Sequence, residues 1–319
     1  MRLALENKKP IVSILCVAFD HEDFIAQALE SFLCQLADFP IEIVVHDDAS
    51  TDKTSEIIKS YEASYPHRIK YIRQKTNRYS KGEKIFDLAL SYATGEFVAL
   101  CEGDDFWNDP HKIQLQVEYM LANPRCGAVF GDADIFYQNS GITIKAHDFS
   151  RGFMPPVGDV RKSLLRGNPY KSCTVMLRKE AALGYAAHAK KLHSKMEDYV
   201  LWLHVATRFD IGYIPVVLAT YRILQTSASH SSGTLGKIRF EKSAYKVAIY
   251  FNKLMGSLLN KQSIKANYSY SLFSFFVSTG RLGGSISYIQ CSLEFWSLLY
   301  FGLVRKLFII KRKLLNETA

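Results

Sequence analysis

The sequence predicts an α/β fold, a sheet covered by helices on both faces, and three observations predict it. Short apolar runs of strand length alternate with segments whose apolar residues recur every three or four positions. Hydrophobic residues make up 48% of the 319 positions and charged residues 22%, which supports a large buried core and excludes a disordered chain. Two pairs of carboxylates, Asp47-Asp48 and Asp104-Asp105, stand just beyond apolar runs, where an α/β sheet binds its ligands.

Taken in order, residues 11–18 are the first predicted strand, followed by a polar turn from Asp20 to Asp23. Phe24, Ile25, Ala28, Leu29, Phe32, Leu33 and Leu36 then fall on one helical face. Residues 41–45 are a second strand, and Ser50, Thr51 and Asp52 are N-cap types for a helix running to about residue 63. Residues 68–73 form a third strand, 83–93 a helix, and 97–101 a fourth strand entering Glu102, Gly103, Asp104 and Asp105. This alternation predicts a parallel sheet. Pro110 suits the first turn of the next helix, whose apolar positions are Ile113, Leu115, Val117, Met120 and Leu121. Residues 126–145 are β-rich, with a hairpin turn at Asn139, Ser140 and Gly141. A short helix at 160–165, a strand at 172–177, a helix at 196–208 and a strand at 211–221 follow. Residues 225–236, rich in Ser, Thr and Gly, read as a linker.

The formal charge of +9 is unevenly placed. Residues 1–236 carry a net −1, and residues 237–319 carry +10. The basic character therefore belongs to the last quarter, and no nucleic-acid-binding module accompanies it. The six cysteines are scattered without Cys-x-x-Cys spacing and read as reduced core thiols, neither disulfides nor zinc ligands. Residues 1–10 lack a signal-peptide core, and no uncharged apolar run is long enough to predict a spanning helix. A cytoplasmic protein is expected.

The acidic pairs carry the chemistry. No Gly-x-Gly-x-x-Gly turn or Walker loop accompanies them, which weakens dinucleotide and phosphate-loop readings. Carboxylates at a strand end suit a hard divalent cation, which can bridge a diphosphate. A solvated loop or a helix cap is the alternative for either pair alone. Glu197-Asp198 opens a helix, where carboxylates also complement the helix dipole.

In sequence, the stretches from Val12 to Asp20, Glu42 to Asp52 and Gly95 to Asp105 resemble the successive signatures of family 2 glycosyltransferases. Phe106 to Pro110, Lys112 to Gln116, Glu197-Asp198 and Tyr221-Arg222 continue the match, which covers residues 11–232. The resemblance implies a GT-A fold, a Rossmann-like mixed sheet flanked by helices, over residues 1–232. A basic α-helical C-terminal region, residues 233–319, lies outside it. The implied activity is inverting transfer of a sugar from a UDP- or other nucleotide-sugar donor to a glycan or lipid-linked acceptor, in bacterial surface-polysaccharide synthesis.

The resemblance also implies roles. Phe19 would stack on the nucleotide base, although an aromatic beside a strand is otherwise a core residue. Asp48 would accept a hydrogen bond from the base, while Asp47 orients the turn. Asp104 would contact the ribose or a metal-bound water, and Asp105 would ligate Mn²⁺ or Mg²⁺ on the diphosphate. Asp198 would be the general base, with Glu197 supporting it or binding acceptor. Lys81 and Lys84 could reach the donor phosphates, or simply belong to an exposed charged loop. Asp20 stands where many relatives carry Asn, and Leu224 where many carry a metal-binding His; His230 is a substitute to consider.

In the basic quarter, Phe240, Ala244, Val247, Phe251, Leu254 and Leu258 fall at helical spacing. Residues 295–304 are apolar and precede Arg305, Lys306, Lys311, Arg312 and Lys313. Such a segment can lie on an anionic membrane surface, making the enzyme peripheral at the inner face of the plasma membrane, or pack as a helical subdomain. Two rival functions remain at this level: a sugar-1-phosphate nucleotidyltransferase, whose Gly-rich first loop is missing here, and a non-catalytic glycan- or membrane-binding protein.

Overall fold

The structure is a computed structural model that describes residues 9–194, 196–224 and 234–278. Two compact units divide the chain: Met1–Arg161 with Pro169–Gln225, and Lys162–Asn168 with Thr226–Ala319. In chain order the elements are β1 (Val12–Ala18), α1 (Ile25–Leu33), β2 (Ile41–Asp47), α2 (Thr54–Ser64), β3 (Ile69–Arg73), α3 (Ile85–Leu90), β4 (Phe97–Leu100) and β5 (Phe106–Trp107). Then come α4 (Lys112–Ala122), β6 (Cys126–Tyr137), β7 (Ile142–Ile144), α5 (Arg161–Leu164), β8 (Met176–Arg178), α6 (Lys179–Ala182), α7 (Tyr185–Leu192), α8 (Glu197–Ala206) and β9 (Asp210–Ile223). Helices α9 (Thr234–Leu254) and α10 (Lys261–Ser278) belong to the second unit.

One sheet runs in the order β3-β2-β1-β4-β8-β6-β9-β5, with β7 added beside β6. Strands β1 to β4 pair in parallel, as predicted. The rest makes the sheet mixed, as the resemblance implies: β8 runs antiparallel to β4 and β6, and β5 antiparallel to β9, while β6 and β9 pair in parallel. An apolar run reports that a strand is buried and carries no signal for its direction, which is set by the connection that delivers it.

The core explains the periodicities. Ile25, Ala28, Leu29 and Phe32 of α1, and Ile113, Val117 and Met120 of α4, share one buried cluster with Val12, Ile14 and Cys16 of β1. Burying each large side chain contributes about 1.5–3 kcal/mol. Some boundaries differ. The N-cap of α2 is Lys53, while Asp52, two residues before Thr54, accepts the Thr54 amide at 2.9 Å. Helix α4 starts at Lys112, two residues beyond Pro110. Ser172–Thr174 forms a 3₁₀ turn ahead of the short β8. Helices α6 and α7 were not predicted; Gly184, at φ +88°, interrupts their apolar rhythm.

In the second unit Ala244, Val247 and Phe251 of α9 are buried, as their spacing predicts, whereas Leu254 is exposed. Ser271 of α10 donates to Glu241 of α9 at 2.6 Å. Among the described residues no helix is long and apolar enough to cross a membrane. Residues 225–233, including His230, and the segment 295–313 lie outside the described residues.

Candidate functional site

The turns after β1 and β2 are laced together, and this sets the first wall of the site. Register pairs Ala18 with Asp47. Asp20 adopts φ 54° and its Oδ1 accepts the Thr51 amide at 2.7 Å. Asp and Asn are the residues that tolerate this left-handed backbone, so Asp here does the structural work that Asn would do. Ser50 and Thr54 hydroxyls accept the amides of Asp20 and His21 at 3.0 and 2.7 Å. Asp47 is fully buried and accepts the Ser50 amide, the Ser55 hydroxyl and the Tyr71 hydroxyl at 2.8, 2.5 and 2.7 Å. Burial opposes its ionisation, but these hydrogen bonds outweigh it and hold its pKa below the ordinary value. It organises the turn. Asp48 accepts the amides of Arg78 and Tyr79 at 2.7 and 2.9 Å, so it fixes the loop before α3 against the strand ends.

The acidic turn after β4 is the second wall. Gly103 donates its amide to Val17 at 2.9 Å, and a Cβ there would meet His21 Nδ1 at 2.8 Å, so the turn hugs β1 only because this residue is Gly. Glu102 accepts the Ser172 hydroxyl at 3.1 Å. Burial, then the neighbouring Asp104, push its pKa up to about 7. Asp105 points the other way. It is 2% exposed, and its Oδ1 accepts the Arg222 amide at 2.7 Å. Burial, with Asp104 and Glu102, raises its pKa.

Arg222, near the end of β9, clamps this turn. Its Nε donates to the Asp104 carbonyl at 2.7 Å, Nη1 to Gln138 at 2.6 Å and Nη2 to Gln27 at 2.7 Å. Phe24, Phe106 and Phe136 surround the guanidinium, with ring centroids 4.7, 5.6 and 5.4 Å away.

The first turn of α8 supplies the third wall. Glu197 accepts the Tyr185 hydroxyl of α7 in a short hydrogen bond, and the Asp87 amide at 3.4 Å. Burial raises its pKa against the pull of Tyr185. Lys84 is buried and donates to the Ser194 carbonyl at 2.6 Å, tying the entry to α3 to the approach to α8.

These walls enclose a cleft of about 250 Å³. Leu15, Val17, Leu100, Ile85, Phe86 and Leu201 form its apolar surface, and Phe19, Asp48, Asn77, Tyr79, Glu102, Ser172, Glu197 and Asp198 add aromatic, polar and acidic groups. The sequence-predicted Phe19, Asp48, Glu197 and Asp198 thus meet in one place. Neither Asp104 nor Asp105 lines it. Lys84 is committed to Ser194, and Lys81, exposed, donates to Thr76 at 2.8 Å. Sequence reasoning passed over Glu102, Ser172 and Tyr185. Glu102 alone had a local signal, standing in the same acidic stretch.

Among the described residues no group of three or more His, Cys, Asp or Glu side chains is arranged to hold a metal ion by itself. The acidic turn nonetheless has the right donor chemistry. Glu102 and Asp104 offer hard carboxylate oxygens two residues apart, and a ligand's oxygens would complete the shell.

The fold and the site define an α/β protein of the GT-A class. The chain belongs to glycosyl transferase family 2, which residues 13–183 match. It is 32% identical over 228 residues to an uncharacterized protein of Mycobacterium tuberculosis, covering 70% of this chain and 62% of that one. The chain therefore spans about three-fifths of the length of its mycobacterial relatives. It is 29% identical over 223 residues to the Escherichia coli UDP-Glc:alpha-D-GlcNAc-diphosphoundecaprenol beta-1,3-glucosyltransferase WfgD, covering 69% of this chain and 79% of that one. Among solved structures it resembles S. aureus TarS in complex with UDP, with TM-score 0.55 and 17% identity, covering 89% of this chain and 76% of that one. It also resembles the mannosyltransferase PcManGT of Pyrobaculum calidifontis in complex with GDP-Man and Mn²⁺, with TM-score 0.51 and 15% identity, covering 95% and 88%. At these identities the structural likeness speaks for the fold.

Proposed function

We propose that this protein is an inverting glycosyltransferase that moves a sugar from a nucleoside-diphosphate donor to a hydroxyl of a glycan or lipid-linked acceptor. One observation carries the proposal. Carboxylates from three separate parts of the chain, Asp48, Glu102 and Asp198, line a single cleft whose remaining surface is largely apolar. Phe19 and Asp48 would hold the nucleotide base by stacking and hydrogen bonding.

Asp104 and Glu102 would hold a divalent cation at the acidic turn, whereas Asp105, the ligand the resemblance implies, is buried on the Arg222 amide and would anchor the turn. Mn²⁺ or Mg²⁺ bound there would neutralise charge on the diphosphate. Asp198 accepts the proton of the acceptor hydroxyl, whose oxygen forms the new bond to the sugar's anomeric carbon as the bond to the diphosphate breaks. General-base assistance of this kind contributes about 10²–10⁴-fold. Glu197, held by Tyr185, keeps the first turn of α8 in place. The WfgD name, with its lipid diphosphate acceptor, supports a lipid-linked acceptor in surface-polysaccharide synthesis. The net +10 of residues 237–319 supports peripheral association with an anionic membrane from the cytoplasmic side. Those residues form the basic C-terminal part in this reading, after a catalytic domain of residues 1–232.

An Asp198→Asn protein tests the assignment. It retains donor binding by calorimetry and loses sugar transfer; undiminished transfer removes Asp198 from the role of base.

A further inference from the structure

The segment that follows β7 buries its one acid, Asp148, and exposes its apolar side chains, the reverse of an ordinary surface loop. Phe149 is 79% exposed, Met154 61%, Val157 56% and Phe153 42%, and on the adjoining edge strand Ile142 is 59% exposed. The backbone beneath them is held firmly. Asp132 accepts the amides of Asp148 and Phe149 at 2.9 and 3.1 Å, and Asp148 accepts Lys171 Nζ at 2.8 Å. At the far end Tyr170 donates its hydroxyl to the Pro156 carbonyl at 2.6 Å, and Gly158 exchanges backbone hydrogen bonds with Ile211 at 2.7 and 3.0 Å.

Charge is sorted in the same way. Asp132, Asp134 and Asp148 are each 3% exposed and bound by amides or a lysine. Lys145 has a side chain 77% exposed, its ammonium pairing with Asp134 at 2.6 Å, and exposed Arg151 bonds the His147 ring at 3.2 Å. The outer surface is thus apolar, and the charged groups that reach it, Lys145 and Arg151, are cationic while the acids lie beneath.

We propose that residues 142–157 form a membrane-docking surface that inserts Phe149, Phe153, Met154 and Val157 into the interface of an anionic lipid bilayer, with Lys145 and Arg151 on the head groups. Apolar burial and attraction to anionic lipid are the two terms that hold a protein at such an interface. A glycan fits worse, because sugar hydroxyls need hydrogen-bonding side chains and the three acids here are already engaged. A second copy of this face would bring like charges together. The loop root is also joined to the cleft, since Lys171 binds Asp148 while Ser172, the next residue, binds Glu102 at 3.1 Å. A docked loop would hold the cleft near the lipid surface. The inference rests on the loop's own chemistry and is independent of the transfer reaction and of the basic C-terminal residues.

Flotation of the full chain with vesicles tests it. Equimolar phosphatidylglycerol and phosphatidylcholine vesicles carry the protein upward at low salt, and pure phosphatidylcholine carries less. A Phe149→Ser, Met154→Ser protein, altered only at exposed positions and checked by an unchanged thermal midpoint, partitions at least about tenfold more weakly. Arg151→Glu, which leaves the Lys145–Asp134 pair intact, weakens binding mainly to the anionic vesicles. Flotation of the serine variant equal to the parent overturns the proposal and assigns any binding to another segment. Failure of the parent to float overturns it as well. Concentration-dependent self-association that the serine changes abolish, without any vesicle binding, would assign the face to a second copy instead.

Discussion

Replacing Arg222 by Ala removes three side-chain hydrogen bonds and the cation held among Phe24, Phe106 and Phe136. Hydrogen bonds from a charged donor are each worth about 1.5–3 kcal/mol, and a cation over an aromatic face adds about 0.5–2 kcal/mol. The terms are not additive, because all of them hold one side chain. Arg222 is only 6% exposed, so its loss also leaves Gln27, Gln138 and the Asp104 carbonyl short of a donor. The expected cost is about 3–5 kcal/mol, the usual scale for breaking a buried network. Arg222→Lys keeps the charge and loses the fork, so it falls between the variant and the parent. Denaturant midpoints with their slopes give the stability of each protein. Calorimetry with nucleoside diphosphate and Mn²⁺ gives binding, which should weaken at least about tenfold where a turn that must present its carboxylates is released. Arg222→Ala within about 1 kcal/mol of the parent, with unchanged nucleotide affinity, would refute the clamp.

Three further outcomes follow from buried ionisable groups. Tyr185→Phe deprives the Glu197 carboxylate of its short hydrogen bond and should cost about 1.5–3 kcal/mol at neutral pH. Because burial already raises the Glu197 pKa above 4.5, protonation relieves this cost, so the deficit shrinks as pH falls through the native pKa; a pH-independent deficit in denaturant titrations contradicts it. Lys112 is fully buried, donates to Gln116 at 2.6 Å, and burial lowers its pKa from 10.5 to about 7. The unfolded chain then holds the proton more tightly between those values, so parent stability rises with pH across that window, by at most about 5 kcal/mol. Lys112→Met should lack this rise. Burial, with His188 and Arg208, lowers the His204 pKa from 6.5 to about 4, so stability falls as pH drops through that interval, by up to about 3 kcal/mol. His204→Gln should flatten that limb of the stability curve, as read by thermal midpoints.

Apart from the two-residue β5, the strands and α-helices up to Ala122 are legible in the sequence because each buries one face, and burial is what periodicity reports. Ile25, Ala28, Leu29 and Phe32 mark α1 for this reason. Direction is not legible, and β8 shows it: Met176 and Leu177 are as buried as any parallel strand, yet run against both neighbours. In the site, Phe19, Asp48 and Asp198 stand at strand or helix ends, where local pattern and chemistry coincide. Asp105 is the instructive case. Its side chain is recruited by an amide 117 residues away, on β9, and nothing near it in sequence encodes that partner. Turning it inward leaves Glu102 to face the cleft. Tyr185 was illegible for the same reason, since it reaches Glu197 from the start of a separate helix, α7.

The central claim, that the cleft takes a nucleotide sugar, is tested most directly by offering the full chain a panel of UDP- and GDP-sugars with Mn²⁺. Binding by calorimetry and release of nucleoside diphosphate are followed together. At least one donor should bind and slowly release its diphosphate, both effects being lost with EDTA and binding being weakened by Asp48→Ala. If no nucleotide sugar binds and EDTA changes nothing, the cleft has been assigned to the wrong ligand.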